Sequence, residues 1–271
     1  MHRRITRQHC EIIDNLSIEE LGLEKRRSRF ILQNKFRSLA GEKRLGVFWI
    51  FLEPLVMSLV YLFVLTVLRS SLSPESIFIG ITLWGIVSVS IISGLESIGD
   101  YSGGLRCERV RTSVLVRPMI QYRIIDSIAR SLAVSFILLI YYGISVIGFY
   151  AFLISSIFLG LLSEGLALNL SRLVHRIEDI KIIIRYFLRL MFFVSPVLYP
   201  LSFAEGLHLS VNLLNPFSYF SEFTRYLSGL ESAYSTFEVF PTISLVGVFV
   251  ALSIRGYSRI DRLRWEMSSW S

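Results

Sequence analysis

Residue types that mark several common protein classes are scarce in this sequence of 271 residues. Its two cysteines, Cys10 and Cys107, are too few for a disulfide-stabilised scaffold. Only 18% of its residues are charged, against about 25% in soluble domains. The four histidines are scattered without paired spacing, so the sequence predicts no metal site.

Motifs that bind nucleotides or catalyse reactions are also missing. The phosphate-binding pattern GxxxxGK[ST] does not occur, so we expect the chain to bind no ATP by itself. No pair of Asp-rich motifs and no arrangement of Ser, His and Asp can be recognised. The sequence therefore predicts no catalytic residue and no cofactor in this chain, and it favours transport driven by another protein.

Hydrophobic residues make up 53% of the chain and gather in long runs, with a mean hydropathy of +0.57. About 20 consecutive apolar residues cross the hydrocarbon core of a bilayer as a helix. On this basis the sequence predicts an all-α membrane protein with six spans. Their expected ranges are 45–68, 77–98, 126–145, 149–170, 180–199 and 239–254, with a tight turn between the third and fourth near residues 143–148.

Three other segments complete the predicted organisation. They are a basic N-terminus (1–44) with helices over 17–26 and 28–43, a segment of short outer helices (201–236) and a C-terminal tail (255–271). The helix over 28–43 is amphipathic and is expected to lie in the membrane interface; a solvated basic tail is the alternative. The apolar pieces of 201–236 are too short to cross, which favours re-entrant or interfacial helices.

The distribution of basic residues predicts the orientation. Of the 28 Lys and Arg, all but Arg69 and Arg225 lie in segments on one side of the six-span arrangement. Because basic residues concentrate in cytoplasmic loops, we expect both termini and the polar loop 99–118 in the cytoplasm of a multi-pass plasma-membrane protein. This bias and contact with anionic lipid account for the net charge of +7 without nucleic acid.

Charged residues within the predicted spans are candidate functional residues, because a charge in hydrocarbon is costly. Glu53 precedes Pro54 about one third of the way into the first span. It can form a buried ion pair, with Arg130 or Arg189 as candidate partners, or it can face the substrate path. Both interpretations remain open from the sequence.

A second set of candidates lies on the fifth span and on the aromatic residues. Lys181, Arg185 and Arg189 are spaced by four and share one helical face. They can meet the phosphate of a lipid-linked substrate, or pair with nearby carboxylates or membrane lipid. Aromatic faces stack on sugar rings, although belt and core packing are the alternatives. The aromatic residues proposed for a translocation path are Trp49, Tyr61, Trp84, Phe193 and Tyr199.

Three segments taken together carry a family resemblance. They are RLGVFWIFLEP (44–54), Glu178-Asp179 followed by FFVSPVLYP (192–200), and LNPF (214–217) with Glu222 and Arg225 after it. The combination resembles the ABC-transporter permeases that export capsular polysaccharide and O-antigen, most closely the capsular branch. The likeness runs with interruptions over residues 35–255, and the short connection between the third and fourth spans departs from it.

The resemblance implies a six-span permease that forms a homodimer and binds two copies of a separate ATPase, which would hold ATP and Mg. It implies a bacterial inner-membrane protein whose substrate is a lipid-linked polysaccharide. It also places a coupling helix for the ATPase within 99–118. The residues of that loop available to a protein partner are Arg106, Glu108, Arg109 and Arg111.

Two other functions remain compatible with the sequence. One is a permease of the same architecture that exports a drug or a small lipid. The other is a membrane enzyme acting on lipid-linked sugars, for which Glu53 would be the candidate acid.

The two cysteines test the predicted topology. We expect Cys10 and Cys107 to face the cytoplasm, because basic residues surround both. In intact cells a membrane-impermeant maleimide should therefore leave both thiols unlabelled until the membrane is permeabilised. Labelling of either cysteine in sealed cells would contradict the six-span topology.

Overall fold

The computed structural model describes residues 18–42, 46, 48–67, 73–100, 112–177, 179–233 and 239–260. Within these ranges the protein is all-helical, without a strand, as predicted. The helices are α1 (Ile18–Glu42), α2 (Phe48–Val67), α3 (Pro74–Asp100), α4 (Thr112–Tyr141), α5 (Val146–Arg176), α6 (Asp179–Val194), α7 (Gly206–Leu213), α8 (Pro216–Leu227) and α9 (Val239–Ser258). A 3-10 turn, Leu201–Phe203, precedes α7.

Three helices, α3, α4 and α5, are long and apolar enough to cross a membrane. Shorter apolar stretches lie in α2, at Phe48–Val64, and in α9, at Thr242–Ser258. With 30 and 31 residues, α4 and α5 are each about 45 Å long, whereas the hydrocarbon core is about 30 Å thick. Part of each of these two helices therefore extends beyond the thickness of that core.

The predicted loop 99–118 is shorter than expected, because both neighbouring helices extend into it. Helix α3 continues to Asp100, and α4 begins at Thr112 rather than near residue 126. The first turns of α4 are helical because Leu115 and Met119, one turn apart, are fully buried in a small apolar cluster. The sequence predicts a loop here because arginines flank these apolar residues.

Two other predicted boundaries also differ. The N-terminal segments 17–26 and 28–43 form one continuous helix, α1, since no Gly or Pro interrupts residues 23–39. The fifth predicted span, 180–199, is helical only as far as Val194. A proline disfavours helical geometry in the residue before it, so Pro196 explains why the chain turns at Ser195.

The central pair of the fold is α3 against α5, which have the most extensive contact of any two helices described. They approach closely at Gly94, where an added Cβ would lie 2.6 Å from the Glu164 carbonyl oxygen. Around them, apolar side chains of five helices and the turn after α6 form the main core. Its largest fully buried members are Ile77, Ile79, Leu83, Leu138, Phe152 and Val197.

Contacts between helices define two ends of the bundle, which we call the Glu164 end and the Arg225 end. At the Glu164 end, α9 crosses α5 so closely that Ser253 and Gly256 touch Gly165. At the Arg225 end, the turn between α4 and α5 meets α8, where Ser145 Oγ donates a hydrogen bond to the Leu227 carbonyl oxygen at 2.6 Å. The short helices α7 and α8 lie only at this second end.

Alanine substitution in α9 tests the close crossing with α5. A Cβ at Gly256 would lie 1.9 Å from the Gly165 carbonyl oxygen, whereas a Cβ at Gly247 would meet nothing within 4 Å. We expect Gly256→Ala to destabilise the protein by about 1–3 kcal/mol through overpacking. Gly247→Ala, the matched control, should stabilise it by about 0.5–1 kcal/mol.

The measurement for this pair is the thermal unfolding midpoint of each purified variant in the same detergent. Similar midpoints for the two variants would contradict the close crossing, because the backbone entropy change is the same for both.

Candidate functional site

The most unusual feature of the bundle is a set of five charged side chains joined end to end near the Glu164 end. We call it the ion-pair network, and its members are Glu53, Arg130, Asp126, Arg123 and Glu164. The three on α4 are spaced by three and four residues, so they share one helical face. Glu53 comes from α2 and Glu164 from α5, which makes α4 the middle of the network.

The distances in the network are those of direct hydrogen-bonded ion pairs. Arg130 donates from Nη1 to Glu53 Oε2 at 2.7 Å and from Nε to Asp126 Oδ1 at 3.1 Å. Arg123 donates from Nη1 to Asp126 Oδ2 at 3.0 Å and from Nη2 to Glu164 Oε1 at 3.1 Å. Positive and negative charges therefore alternate along the whole set.

Exposure changes along the network. The side chains of Arg123 and Glu164 are completely buried, whereas that of Glu53 is 38% exposed. Asp126 and Arg130 lie between these limits, at 1% and 10%. Glu53 is thus the end of the network that solvent or lipid can reach, and the rest is shielded by protein.

Two neutral side chains complete the surroundings of Glu164. Ser93 of α3 donates to Glu164 Oε1 at 3.3 Å, and the Tyr257 hydroxyl of α9 donates to Glu164 Oε2 at 3.2 Å. Space for Arg123 depends on Gly160, where an added Cβ would lie 3.2 Å from Arg123 Cδ. Through these contacts five helices, α2, α3, α4, α5 and α9, are joined in one polar layer.

The chemistry open to this site is limited, because each of its carboxylates is bound by an arginine. An acid or base catalyst needs a carboxyl group within hydrogen-bond reach of its substrate. Asp126 and Glu164 are buried and occupied by guanidinium groups, so neither is available. Within the described ranges no three His, Cys, Asp or Glu side chains are grouped as ligands for a metal ion. The arrangement is suited to holding helices together.

The structure settles the partner of Glu53. Of the two partners that the sequence offered, Arg130 is paired with it. Arg189 lies on α6, where it is exposed and its guanidinium group stacks over the Tyr186 ring at 5.3 Å. Glu53, Arg130 and Arg189, the charged residues predicted within the spans, therefore lie in two separate places.

Three of the five proposed path residues surround one aromatic ring, that of Phe192, and a fourth, Tyr199, bonds to the neighbouring backbone. Tyr61 and Trp84 lie 5.0 and 6.5 Å from Phe192 between ring centroids, and Phe193 lies 5.1 Å away. The Tyr199 hydroxyl donates to the Phe193 carbonyl oxygen at 3.1 Å. Trp84 is buried in the main core, whereas Phe193 is 64% exposed. Trp49, also exposed, is on α2 near the Glu164 end.

The predicted coupling residues cannot be placed in this structure. Arg106, Glu108, Arg109 and Arg111 all lie outside the described residues. The described chain resumes at Thr112, the first residue of α4.

Sequence reasoning missed three members of the network. Arg123 lies between the predicted loop and the third predicted span, Asp126 is the first residue of that span, and Glu164 lies within the fourth, so their positions alone mark none of them as a candidate. A signal existed, because Arg123, Asp126 and Arg130 recur at helical spacing at the edge of that block, and Glu164 is a lone acid within a predicted span. Only the antiparallel packing of α4 and α5 brings them together.

A second buried ion pair lies at the Arg225 end, between Glu222 and Arg225 of α8. Arg225 Nη1 donates to Glu222 Oε1 at 2.6 Å, and both side chains are fully buried. Arg225 Nη2 also donates to the Ser76 and Val197 carbonyl oxygens, at 3.3 and 3.2 Å. Arg225 was expected in an outer loop, but its side chain is buried and donates to the backbone of two other segments, α3 and the turn after α6.

Glu222 has a matching role as an acceptor. Its Oε1 accepts from the Leu201 backbone N–H at 3.1 Å, and its Oε2 accepts from the Ala233 backbone N–H at 2.7 Å. The pair therefore joins α8 to α3, to the turn after α6 and to the chain that follows α8. It holds the short helices in a fixed position at this end.

Comparison with known proteins gives no further constraint on function. The chain matches no protein-family model and no curated protein sequence.

Substitutions at the two ends of the ion-pair network test its energetic role. Removing one partner of a buried pair typically costs about 3–5 kcal/mol, because the other charge is left uncompensated. Glu164→Ala leaves the fully buried Arg123 with only Asp126, which it shares with Arg130, so we expect a loss near the lower end of that range. Glu53→Ala should also lower the amount of folded protein, but by less, since Glu53 is partly exposed.

The readout is the yield of monodisperse protein from membranes, together with its thermal unfolding midpoint. Glu205→Ala provides the control, because Glu205 is exposed and makes no side-chain capping bond to α7. If Glu53→Ala lowers the unfolding midpoint as much as Glu164→Ala does, the loss of stability does not depend on how deeply the carboxylate is buried. If Glu53→Ala leaves folding unchanged but stops transport, Glu53 belongs to the substrate path.

Proposed function

We propose that this protein is the membrane-spanning permease subunit of an ABC exporter. Its substrate is a lipid-linked polysaccharide of the capsule or O-antigen type, and a separate ATPase subunit supplies the energy. The observation that supports this most strongly is the position of α4, which directly follows segment 101–111 and is joined by buried ion pairs to α2 and α5.

A permease without its own nucleotide site must receive mechanical work through a contact with its ATPase. Short polar segments joined to rigid helices transmit rigid-body motion. Helix α4 suits this role because Arg123, Asp126 and Arg130 lie within its first five turns and are tied to neighbouring helices. A displacement of segment 101–111 would then move α2, α4 and α5 together rather than bend α4 alone.

The topology in this proposal has six spans, with α2, α6 and α9 as the shorter ones beside α3, α4 and α5. Both termini are cytoplasmic, the Glu164 end faces the cytoplasm, and α7 and α8 are re-entrant helices on the outer side of a bacterial inner membrane. The basic end of α5, with His175 and Arg176 in its last turn, supports this orientation under the positive-inside rule.

Two permease copies and two ATPase subunits make up the complex that we propose, with ATP and Mg bound by the ATPase. The substrate passes between the two permeases. The aromatic group around Phe192, which includes the exposed Phe193, offers faces on which sugar rings can stack.

A membrane enzyme acting on lipid-linked sugars is the main alternative. It requires a carboxyl group or metal ligand that a substrate can reach. Of the acids in the ion-pair network only Glu53 has appreciable exposure, and its Oε2 is occupied by Arg130. The geometry therefore favours transport. A permease for a drug or small lipid would share this architecture, and the identity of the exported molecule distinguishes it.

The segment before α4 provides the decisive test. We expect the purified chain to have no ATPase activity and to copurify with a separate ATPase subunit. Arg109→Glu/Arg111→Glu should loosen that complex and block export, because the charge reversal removes contacts to a protein partner while membrane insertion is unaffected. The measurements are pull-down of the ATPase and glycan at the cell surface.

A matched control is Arg255→Glu/Arg259→Glu, which reverses two exposed arginines at and just beyond the end of α9. It should retain both the ATPase and export. Normal export and ATPase binding by Arg109→Glu/Arg111→Glu would show that another segment couples the subunits. Absence of any ATPase subunit from the native complex would favour the membrane enzyme.

A further inference from the structure

Helix α6 has an unusual surface, because most of it is not covered by the rest of the protein. Leu188 is its only fully buried residue. Six large apolar side chains are more than half exposed. They are Ile182, Ile183, Tyr186, Phe187, Leu190 and Phe193. An exposed apolar face of this kind on a membrane protein is suited to contact with lipid chains or another apolar partner.

Three basic side chains run along the edge of that face. Lys181, Arg185 and Arg189 follow one another at four-residue intervals, and each step turns about 40° around the helix at 100° per residue. Lys181 and Arg185 lie beside α3, where both contact Glu96. Arg185 Nη2 is 3.5 Å from Glu96 Oε1. Arg189 lies further round, next to Tyr186 and the apolar face.

The charges in this stripe do not balance within the described part of the chain. Glu96 supplies one negative charge against the three positive charges of Lys181, Arg185 and Arg189. Arg185 is 50% exposed even while it contacts Glu96. Arg189 is exposed and forms no ion pair with any described carboxylate. Arg189 and the exposed part of Arg185 thus remain available beside an apolar surface.

We infer that this edge of α6 binds the phosphate group of a membrane lipid. The guanidinium groups of Arg185 and Arg189 hold the phosphate, and the lipid chain lies along Tyr186, Leu190 and Phe193. Guanidinium groups suit this role because their planar donors match phosphate oxygens. A lipid phosphate is negatively charged near neutral pH, so it is complementary to the two guanidinium groups.

The neighbouring apolar residues favour a lipid over a free phosphate ion. A soluble anion gains nothing from Tyr186, Leu190 or Phe193, whereas a lipid chain buries itself against them. This inference rests on the proposed function and adds to it a substrate-contacting residue set. A lipid-linked glycan would contact the permease through its phosphate, at Arg185 and Arg189.

The test measures lipid binding to the full-length protein, purified with whatever ATPase subunit accompanies it. Phosphatidic acid, phosphatidylcholine and inorganic phosphate are each titrated against the protein in detergent and followed by native mass spectrometry. We expect the native protein to retain phosphatidic acid in preference to phosphatidylcholine. Inorganic phosphate should not displace it at equal concentration.

Arg185→Gln/Arg189→Gln should weaken the apparent affinity for phosphatidic acid about tenfold, as expected for the loss of charge-assisted hydrogen bonds. Arg189→Gln alone should give part of the loss, and it breaks no ion pair with a described residue. The control Arg255→Gln/Arg259→Gln removes two exposed arginines with the same spacing, and it should bind as the native protein does.

Several results would overturn the inference. Unchanged binding of phosphatidic acid by Arg185→Gln/Arg189→Gln would do so. An equal loss of binding in the control Arg255→Gln/Arg259→Gln would also do so, because it would indicate a general attraction to anionic lipid. Displacement by inorganic phosphate would indicate a free-anion site. A change of oligomeric state without a change in lipid binding would assign the stripe to an interface between copies.

The outcome is separable from that of the proposed function. If Arg185→Gln/Arg189→Gln binds lipid normally while the ATPase copurifies and export proceeds, this inference fails and the exporter remains. If the native protein shows the expected lipid binding but no ATPase associates with it, the exporter fails and the phosphate site on α6 remains.

Discussion

Arg123 and Glu164 bring opposite charges to a part of the bundle where neither side chain has any exposure. Moving an ion out of water costs several kcal/mol even after relaxation, so the Glu164 carboxylate is tolerable there only while Arg123 is present. Their contact can form only if α4 and α5 lie side by side at one register. The pair therefore specifies how the two longest helices pack, whether or not it adds net stability.

The rest of the network follows from the same constraint. Arg123 donates to Asp126, and Asp126 is bound in turn by Arg130, which reaches Glu53 on α2. Each charge is compensated by its neighbour, and the chain of ion pairs ends where Glu53 becomes partly exposed. The network runs from the fully buried Glu164 to the partly exposed Glu53. Through it, the position of α2 along α4 depends on how α4 packs against α5.

The sequence was sufficient for what depends on local pattern and insufficient for what depends on packing. Hydrophobic runs predicted the long apolar helices, and the charge of Glu53 beside Pro54 predicted a partner such as Arg130. Glu164 was missed because a single acid in a 31-residue helix has no periodic signal. Arg123 was misplaced because arginines near the end of an apolar run look the same in a loop and in a buried helix. Their partnership exists only across the α4–α5 contact.

One buried ion pair includes Glu164 in the second half of α5, and the other lies on α8, which packs against the first residues of α5. Glu164 is 18 residues from Val146, the first residue of α5, which corresponds to about 27 Å along the helix. Near that first residue α5 packs on α8, the helix of the Glu222–Arg225 pair, through Gly148 and Ser228. Because α5 makes close contacts both at Glu164 and near its first residue, we expect it to move as a rigid element, so that a displacement at Glu164 reaches α8.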